Sequence, residues 1–424
     1  MRVVIGALML WLSAVAVGEE PATPPAEPTP GDMAPKPIPS PPPKADDLAF
    51  KAFWKDGLWL ETAGGVFLLN IGGRLLLDAA WISEDRDVEA SVGAQEDGVE
   101  SRSVRLHVQG EFSRRLLFRC EFDFAGGDVA LKDGFLGIRG LPLVGTLRVG
   151  HMKEFYGLEQ SASPRFTTFM ERGLPDALTA GSENMGASFL NTHLEDRLFW
   201  SLGVFKETDK KGYAQSEGEW ALTGRVCGLP WWEDDGRRLL HLGLGASLRS
   251  PVDGEVQVRQ RPEMHLASYY VDTGVFEAER QLWVAGEAAL VWGPLSLQGE
   301  CMLSQVISDP ADDPVFKGFY AIASWFATGE HRPYKKAYGV FDRVRPLESA
   351  FGTEAGWGAV ELAARYSRID LDSRGIRGGN LADVTAGVTW YPNPYVRIML
   401  NYVFADLWDV GDTHGLMTRF QVDF

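Results

Sequence analysis

Nine arginines fall on one phase of a two-residue alternation: Arg74, Arg105, Arg119, Arg139, Arg148, Arg225, Arg249, Arg365 and Arg397. Several stand between apolar neighbours, as Arg105 does between Val104 and Leu106, and Arg148 between Leu147 and Val149. A guanidinium stays charged at ordinary pH and offers forked donors that fit the oxygens of phosphate or carboxylate. A column of such groups would let an anion move by exchange between weak sites, because conduction needs binding shallow enough to release. Asp78, Glu111, Glu121, Asp123 and Glu361 share that phase. A charge on a solvated wall is normally paired, so bracing competes with ion passage at each single arginine, while the set as a whole leans towards passage.

A second group sits in 153–181, a stretch without alternation: Lys153, Glu154, Arg165, Glu171 and Arg172, with Glu159 beside them. Such a mixture serves either a selective eyelet or the fixing of a loop against a wall. His331, Arg332, Lys335, Lys336, Arg343 and Arg345 form a basic cluster in another long loop. It reads as an anion-collecting vestibule or as a loop packed over the mouth. The seven histidines are scattered, no His, Cys and carboxylate stand at metal-ligand spacing, and no Gly-rich phosphate loop follows a strand. No catalytic residue, metal or cofactor is expected.

The elements that position these groups are strands. In 102–127, Val104, Leu106, Val108 and Phe112 alternate with Arg105, His107, Gln109 and Glu111, and Leu116 to Phe124 repeats the pattern around Arg119, Glu121 and Asp123. The apolar side packs on a second sheet in a soluble sandwich, or meets lipid in a membrane barrel whose other side lines water. Seventeen strands can be read, among them 263–271, with 57–62 as a possible eighteenth. Bacterial barrels close on even numbers, so the expected fold is an all-β transmembrane antiparallel barrel of 16 strands, or 18, with one strand misassigned. Trp231, Trp232, Trp292, Trp390, Tyr391 and Tyr395 cluster at strand ends, where an interfacial girdle would need them.

The ends agree with export. Residues 1–18 have the basic start, apolar run and small-residue cleavage site of a signal peptide. Residues 19–56 are Pro-rich and read as an extended periplasmic linker, leaving 57–424 for the barrel. The three cysteines imply no disulfide framework, and a net charge of −17 argues against nucleic acid as a partner. The closing strand alternates to a terminal Phe424, like the signal read by the barrel-assembly machinery. Together these place the chain in the bacterial outer membrane, against its lipid.

Two blocks carry more than architecture: EFDFAGG at 121–127, LRVGHMKEFYGLE at 147–159 and FTTFMERGLP at 166–175, then FATGEHRPYKKAYGVFDRVRP at 326–346, GAVELAARYSRIDL at 358–371 and TWYPNPYVRIMLNYV at 389–403. In this order they resemble the phosphate-selective porins O and P, from Gly72 to Phe424. The resemblance implies a sixteen-stranded porin, a homotrimer, a third loop folded inward as the constriction, and small anions such as phosphate or pyrophosphate as permeants. The 153–181 stretch is the candidate for that loop, with Phe155 where many relatives have Pro. Two other classes stay open: a structural or adhesive barrel closed by its loops, and an outer-membrane enzyme, which would need a Ser or Asp within reach of His.

Overall fold

The computed structural model describes residues 49–179, 183–216, 218–351 and 356–424. The expected signal peptide, 1–18, and residues 19–48 of the expected linker lie outside the described residues.

Sixteen antiparallel strands close into a barrel. The first, Phe67–Glu84, pairs with the last, Gly411–Asp423, from Arg74 opposite Asp423 to Glu84 opposite Thr413. Every other strand pairs with its neighbours in sequence, an up-and-down order that removes free sheet edges. Side-chain alternation sets the register. In Val315–Phe326, Phe316, Tyr320, Ile322, Ser324 and Phe326 are buried inside, while Val315, Phe319 and Trp325 face out. Around the ring Leu75, Leu77, Leu106, Leu242, Leu244, Leu400 and Phe420 make the same outward choice, giving an apolar belt with no second sheet over it. Such a belt belongs in a bilayer, and no described helix is long and apolar enough to cross one. The chain therefore crosses with strands, and the soluble sandwich is excluded.

One strand assignment is corrected. Residues 263–271 lie in the long connection between Arg238–Arg249 and Arg280–Trp292 and form no barrel strand. Only short ladders occur there, such as Arg259–Gln260 with Val271–Asp272. The connection folds onto the inner wall, where Met264 and Tyr270 are buried and the Tyr270 hydroxyl lies 2.9 Å from Thr413 Oγ1. Its apolar rhythm thus comes from packing inside the barrel, not from facing lipid. The possible eighteenth strand, Leu58–Thr62, stands outside the ring: it forms a hairpin with Phe50–Trp54 and pairs with the start of the first barrel strand. Part of that hairpin falls within 19–56.

Both ends of the barrel chain and, apart from 327–358, only short turns gather at one mouth, while the other carries the remaining long connections along with the short turns 374–375 and 408–410. Phe424 is held at the short-turn mouth by reciprocal backbone bonds with Gly73 at 3.0 and 2.7 Å, its ring stacked on Trp54. Trp231 and Trp292, 5.3 Å apart, and Trp390 sit at the same end. Trp81, Trp220 and Trp408 are exposed near the other, so aromatics mark both interfaces. Two expected girdle residues instead turn inward: Trp232 packs on Tyr334, and Tyr391 is buried against Phe326.

Candidate pore and its constriction

The strand Gly145–Lys153 ends where the chain leaves the wall, and 154–179 fold back into the lumen. Glycines make room for the crossing. A Cβ at Gly245 would sit 1.9 Å from the Tyr156 carbonyl oxygen, and one at Gly157 would sit 2.5 Å from Glu300 Oε1. Glu300 accepts the backbone N–H groups of Leu158 and Glu159, at 2.6 and 2.9 Å. Glu154 is wholly buried and accepts from Asn184 Nδ2 at 2.6 Å and from Arg249 at 2.9 Å. Gly245→Ala should therefore push the loop from its seat, costing about 1–3 kcal/mol as overpacking does, read as a lower denaturant midpoint for unfolding in micelles.

Wall arginines hold the rest of the loop through its carbonyls. Arg397 donates to Thr167 O at 2.6 Å, Arg365 to Glu171 O at 3.0 Å and Arg419 to Met170 O at 2.5 Å. Arg365 also binds Glu263, and its guanidinium lies 3.6 Å from Glu159. Glu171 receives a forked pair from Arg102, both bonds 2.9 Å, and a third bond from Arg419 at 2.8 Å. Burial raises the Glu171 carboxyl's proton affinity, but Arg102 and Arg419 outweigh it and hold its pKa well below the usual carboxylate range. Arg172 pairs with Asp176 at 3.4 Å, and Arg165 lies 3.9 Å from Asp423.

A second segment enters from the short-turn mouth. The 327–358 connection is long although it lies at that end, and it lays its 330s against the inner wall. Arg225 donates to Tyr338 O and Gly339 O at 3.1 and 2.7 Å, and His241 Nδ1 lies 2.6 Å from the Tyr334 hydroxyl. Phe155 ties the two inward segments together, stacked on Tyr338 at 6.0 Å. In the basic cluster, Arg332 is buried on Gln298 at 2.7 Å, Arg343 binds Asp423, and Arg345 reaches Asp56 at 2.6 Å. Lys335 and Lys336 face a cavity at the mouth.

Three polar cavities share walls from one mouth to the other. The cavity beside the 250–279 connection shares Arg74, Arg105 and Lys153 with the middle one, which shares Arg119, Arg165 and Lys335 with the cavity at the short-turn mouth. Their linings contain seventeen Lys and Arg against nine Asp and Glu. This excess of cations occurs inside a chain whose net charge is −17, so the acidic residues are concentrated elsewhere.

The nine sequence-predicted arginines divide by position. Arg74, Arg105, Arg119 and Arg148 line the middle cavity. Arg225, Arg249, Arg365 and Arg397 line none of the three and are tied to the inward segments. Arg139 is half exposed at the short-turn rim, 3.0 Å from Glu111. Of the lining four, Arg105 is neutralised by Asp123 at 2.6 Å and Glu121 at 3.0 Å, and Arg119 by Asp133 at 2.6 Å and by Glu121. Arg74 binds Ser103 Oγ at 3.1 Å and Arg148 the Tyr338 hydroxyl at 2.8 Å. Lys153 donates to the carbonyls of Gln160 and Ala162, at 2.9 and 3.2 Å. Among the described residues no carboxylate forms an ion pair with these three.

Of the other predicted loop residues, Arg165 lines the middle cavity, Glu171 and Arg172 line the one towards the long connections, and Glu154 is an anchor outside all three. Arg102 and Arg419 were missed as site residues. Arg419 obeys the alternation, whereas Arg102 falls on the phase of Val104 and Leu106 and is turned inward by the register shift opposite Leu76 and Leu77. Only the pairing across strands reveals that both meet Glu171.

The sequence profile of the phosphate-selective porin O and P family matches residues 70–424. An uncharacterized protein of Caulobacter vibrioides is 27% identical over 91% of this chain and 78% of its own length. Porin O of Pseudomonas aeruginosa is 24% identical over 89% of this chain and 93% of its own. The fold resembles an anion-selective porin from Comamonas acidovorans, with a TM-score of 0.54 at 13% identity over 84% of this chain and all of that one. It also resembles OmpF of Salmonella typhi, with a TM-score of 0.52 at 12% identity over 88% of this chain and all of that one. A closed barrel with an apolar belt, a lumen crossed by inward segments and a family match over nearly the whole barrel agree: the chain is an outer-membrane channel protein and belongs to the phosphate-selective porin O and P family.

Proposed function

We propose that the channel passes small anions, phosphate and pyrophosphate among them, and that the protein works as a homotrimer exported by the signal peptide at 1–18, with the part of 19–56 that precedes the Phe50–Trp54 strand as linker. One observation carries the selectivity: cations outnumber carboxylates seventeen to nine along the three cavities. Three of those cations, Arg74, Arg148 and Lys153, are left to hydroxyls and carbonyls. Oxyanions suit such donors, which provide hydrogen bonds together with a positive charge that no carboxylate pairs directly. The family's name and the anion selectivity of the Comamonas porin support the same reading. The trimer rests on likeness to porins, one solved in a trimer form.

Phosphate and pyrophosphate added to chloride solutions in planar bilayers should lower chloride conductance in a saturable way, each carrying current itself. Conductance indifferent to both would defeat the oxyanion assignment. Cross-linking in native membranes should give a three-chain band, and a monomer alone would count against the trimer. Lys336 lines the cavity at the short-turn mouth and Lys335 lines that cavity and the middle one, so Lys335→Ala with Lys336→Ala should reduce anion current about twofold to fivefold, most strongly for flow entering at that mouth. Focused fields raise local ion concentration, and the loss should vanish in concentrated salt, where screening is short.

A further inference from the structure

Cys227, His241 and Glu287 are far apart in sequence, but three adjacent strands bring them together on the inner wall. Cys227 is paired with Gly243, and Gly243 with Glu287, so the thiol and the carboxylate flank a glycine in one row. His241 lies two residues along on the same face. One donor atom from each lies within 4.8 Å of the other two. All three side chains are buried. Gly243 keeps the space between them clear, since a Cβ there would meet Glu287 Oε1 at 2.1 Å and the Cys227 Cβ at 2.8 Å.

The hydrogen bonds are unevenly spent. Glu287 Oε1 accepts from Arg225 at 2.8 and 2.9 Å and faces His241 Nε2 at 3.2 Å. Its other oxygen, Oε2, is buried with no hydrogen-bond partner among the described residues. Leaving a buried carboxylate oxygen unsatisfied is costly. Cys227 Sγ makes a long contact, 3.9 Å, with Gly339 O and lies beside the Tyr334 hydroxyl. His241 Nδ1 is engaged by the Tyr334 hydroxyl at 2.6 Å, which leaves Nε2 turned towards the carboxylate. Metal-binding histidines usually keep such an orienting bond on the other nitrogen.

We propose that Cys227, His241 and Glu287 form a zinc(II) site in the barrel wall, beneath the segment that carries Tyr334 and Gly339. Thiolate, imidazole and carboxylate are zinc ligands, and three from protein leave one of four tetrahedral positions. On binding, the Cys227 S–H bond breaks, its proton leaves to solvent and a Zn–S bond forms; no electron is transferred. Thiolate and carboxylate balance the two charges of the ion. Arg225 keeps the carbonyls of Tyr338 and Gly339 as acceptors.

The test uses the full chain with Cys120→Ser and Cys301→Ser, leaving Cys227 as its sole thiol, refolded into detergent micelles with cobalt(II). The expected result is a near-ultraviolet thiolate-to-cobalt band at one ion per chain, displaced by zinc and lost on adding Cys227→Ser. His241→Gln should weaken zinc competition at least tenfold, since losing even an outer-shell partner costs on that order. Absence of the band in the folded single-thiol protein overturns the proposal without any ligand variant, as does a band that survives Cys227→Ser. Heat-modifiable gel migration confirms folding of each protein.

Discussion

Replacing Arg74, Arg148 and Lys153 together with alanine is expected to cut the preference for anions over cations by up to about a hundredfold in dilute salt. In water-like surroundings a unit charge about 4 Å from an ion contributes about 1 kcal/mol, and each 1.4 kcal/mol is about tenfold in partition. Three cations without a directly paired carboxylate around one cavity therefore sum to at most roughly two powers of ten. Ion-paired arginines contribute far less, because Asp123, Glu121 and Asp133 already answer Arg105 and Arg119. Arg139→Ala serves as the control: half exposed at the rim beside Glu111, its loss should leave selectivity unchanged. Permeability ratios from reversal potentials check both. Equal effects from Arg139 and from the three would show that the middle cavity does not select.

Glu171→Gln is the second large effect. The carboxylate holds Arg102 and Arg419 together under the inward loop, and removing its charge leaves Arg102 without its carboxylate while Arg419 keeps Asp78 at 2.6 Å. Breaking a fully buried pair costs about 3–5 kcal/mol. Here about 2 kcal/mol is expected, since Arg102 keeps 32% of its side chain exposed and solvent screens part of the loss. A lower urea midpoint in micelles measures it, and noisier single-channel current should accompany the loosened loop. The pH dependence has a definite sign. A carboxyl whose folded pKa is depressed contributes stability that is fully present above its unfolded value, about 4.3, and lost as pH falls through the folded one. The Glu171 latch should thus hold unchanged from neutral pH down to about 5, and yield only in stronger acid. Gating that appears near pH 6 in wild type but not in Glu171→Gln would contradict this.

Much of the architecture is legible in the chain because a barrel is written residue by residue. The hairpin of Gly98–Phe112 and Leu116–Asp123 shows its two faces in the sequence, and Val315–Phe326 repeats the same two-residue rhythm. The rhythm misleads at 263–271, where a connection packs on the inner wall and Met264 and Tyr270 are buried by contacts unrelated to lipid. Period reports which residues share a face, not what covers that face.

The pore was legible only in part for the same reason. Alternation places Arg74, Arg148, Arg225 and Arg397 on one phase alike. What separates them is the pairing between strands and the paths of the two inward segments, which put Thr167 O beside Arg397 and Gly339 O beside Arg225 while leaving Arg74 and Arg148 in the cavity. The basic run from His331 to Arg345 was visible as charge, yet its side of the barrel follows from strand parity. Glu171 shows both limits: it stood out in the loop, while Arg102 and Arg419, 69 and 248 residues away, did not.

The most direct measurement is the zero-current potential of the wild-type channel in a planar bilayer with a tenfold potassium chloride gradient. A cation-rich path of cavities predicts the sign set by chloride, with a magnitude that shrinks as total salt rises and screening shortens. A potential of the sign set by potassium would contradict the account, whatever the acidic total charge of the chain.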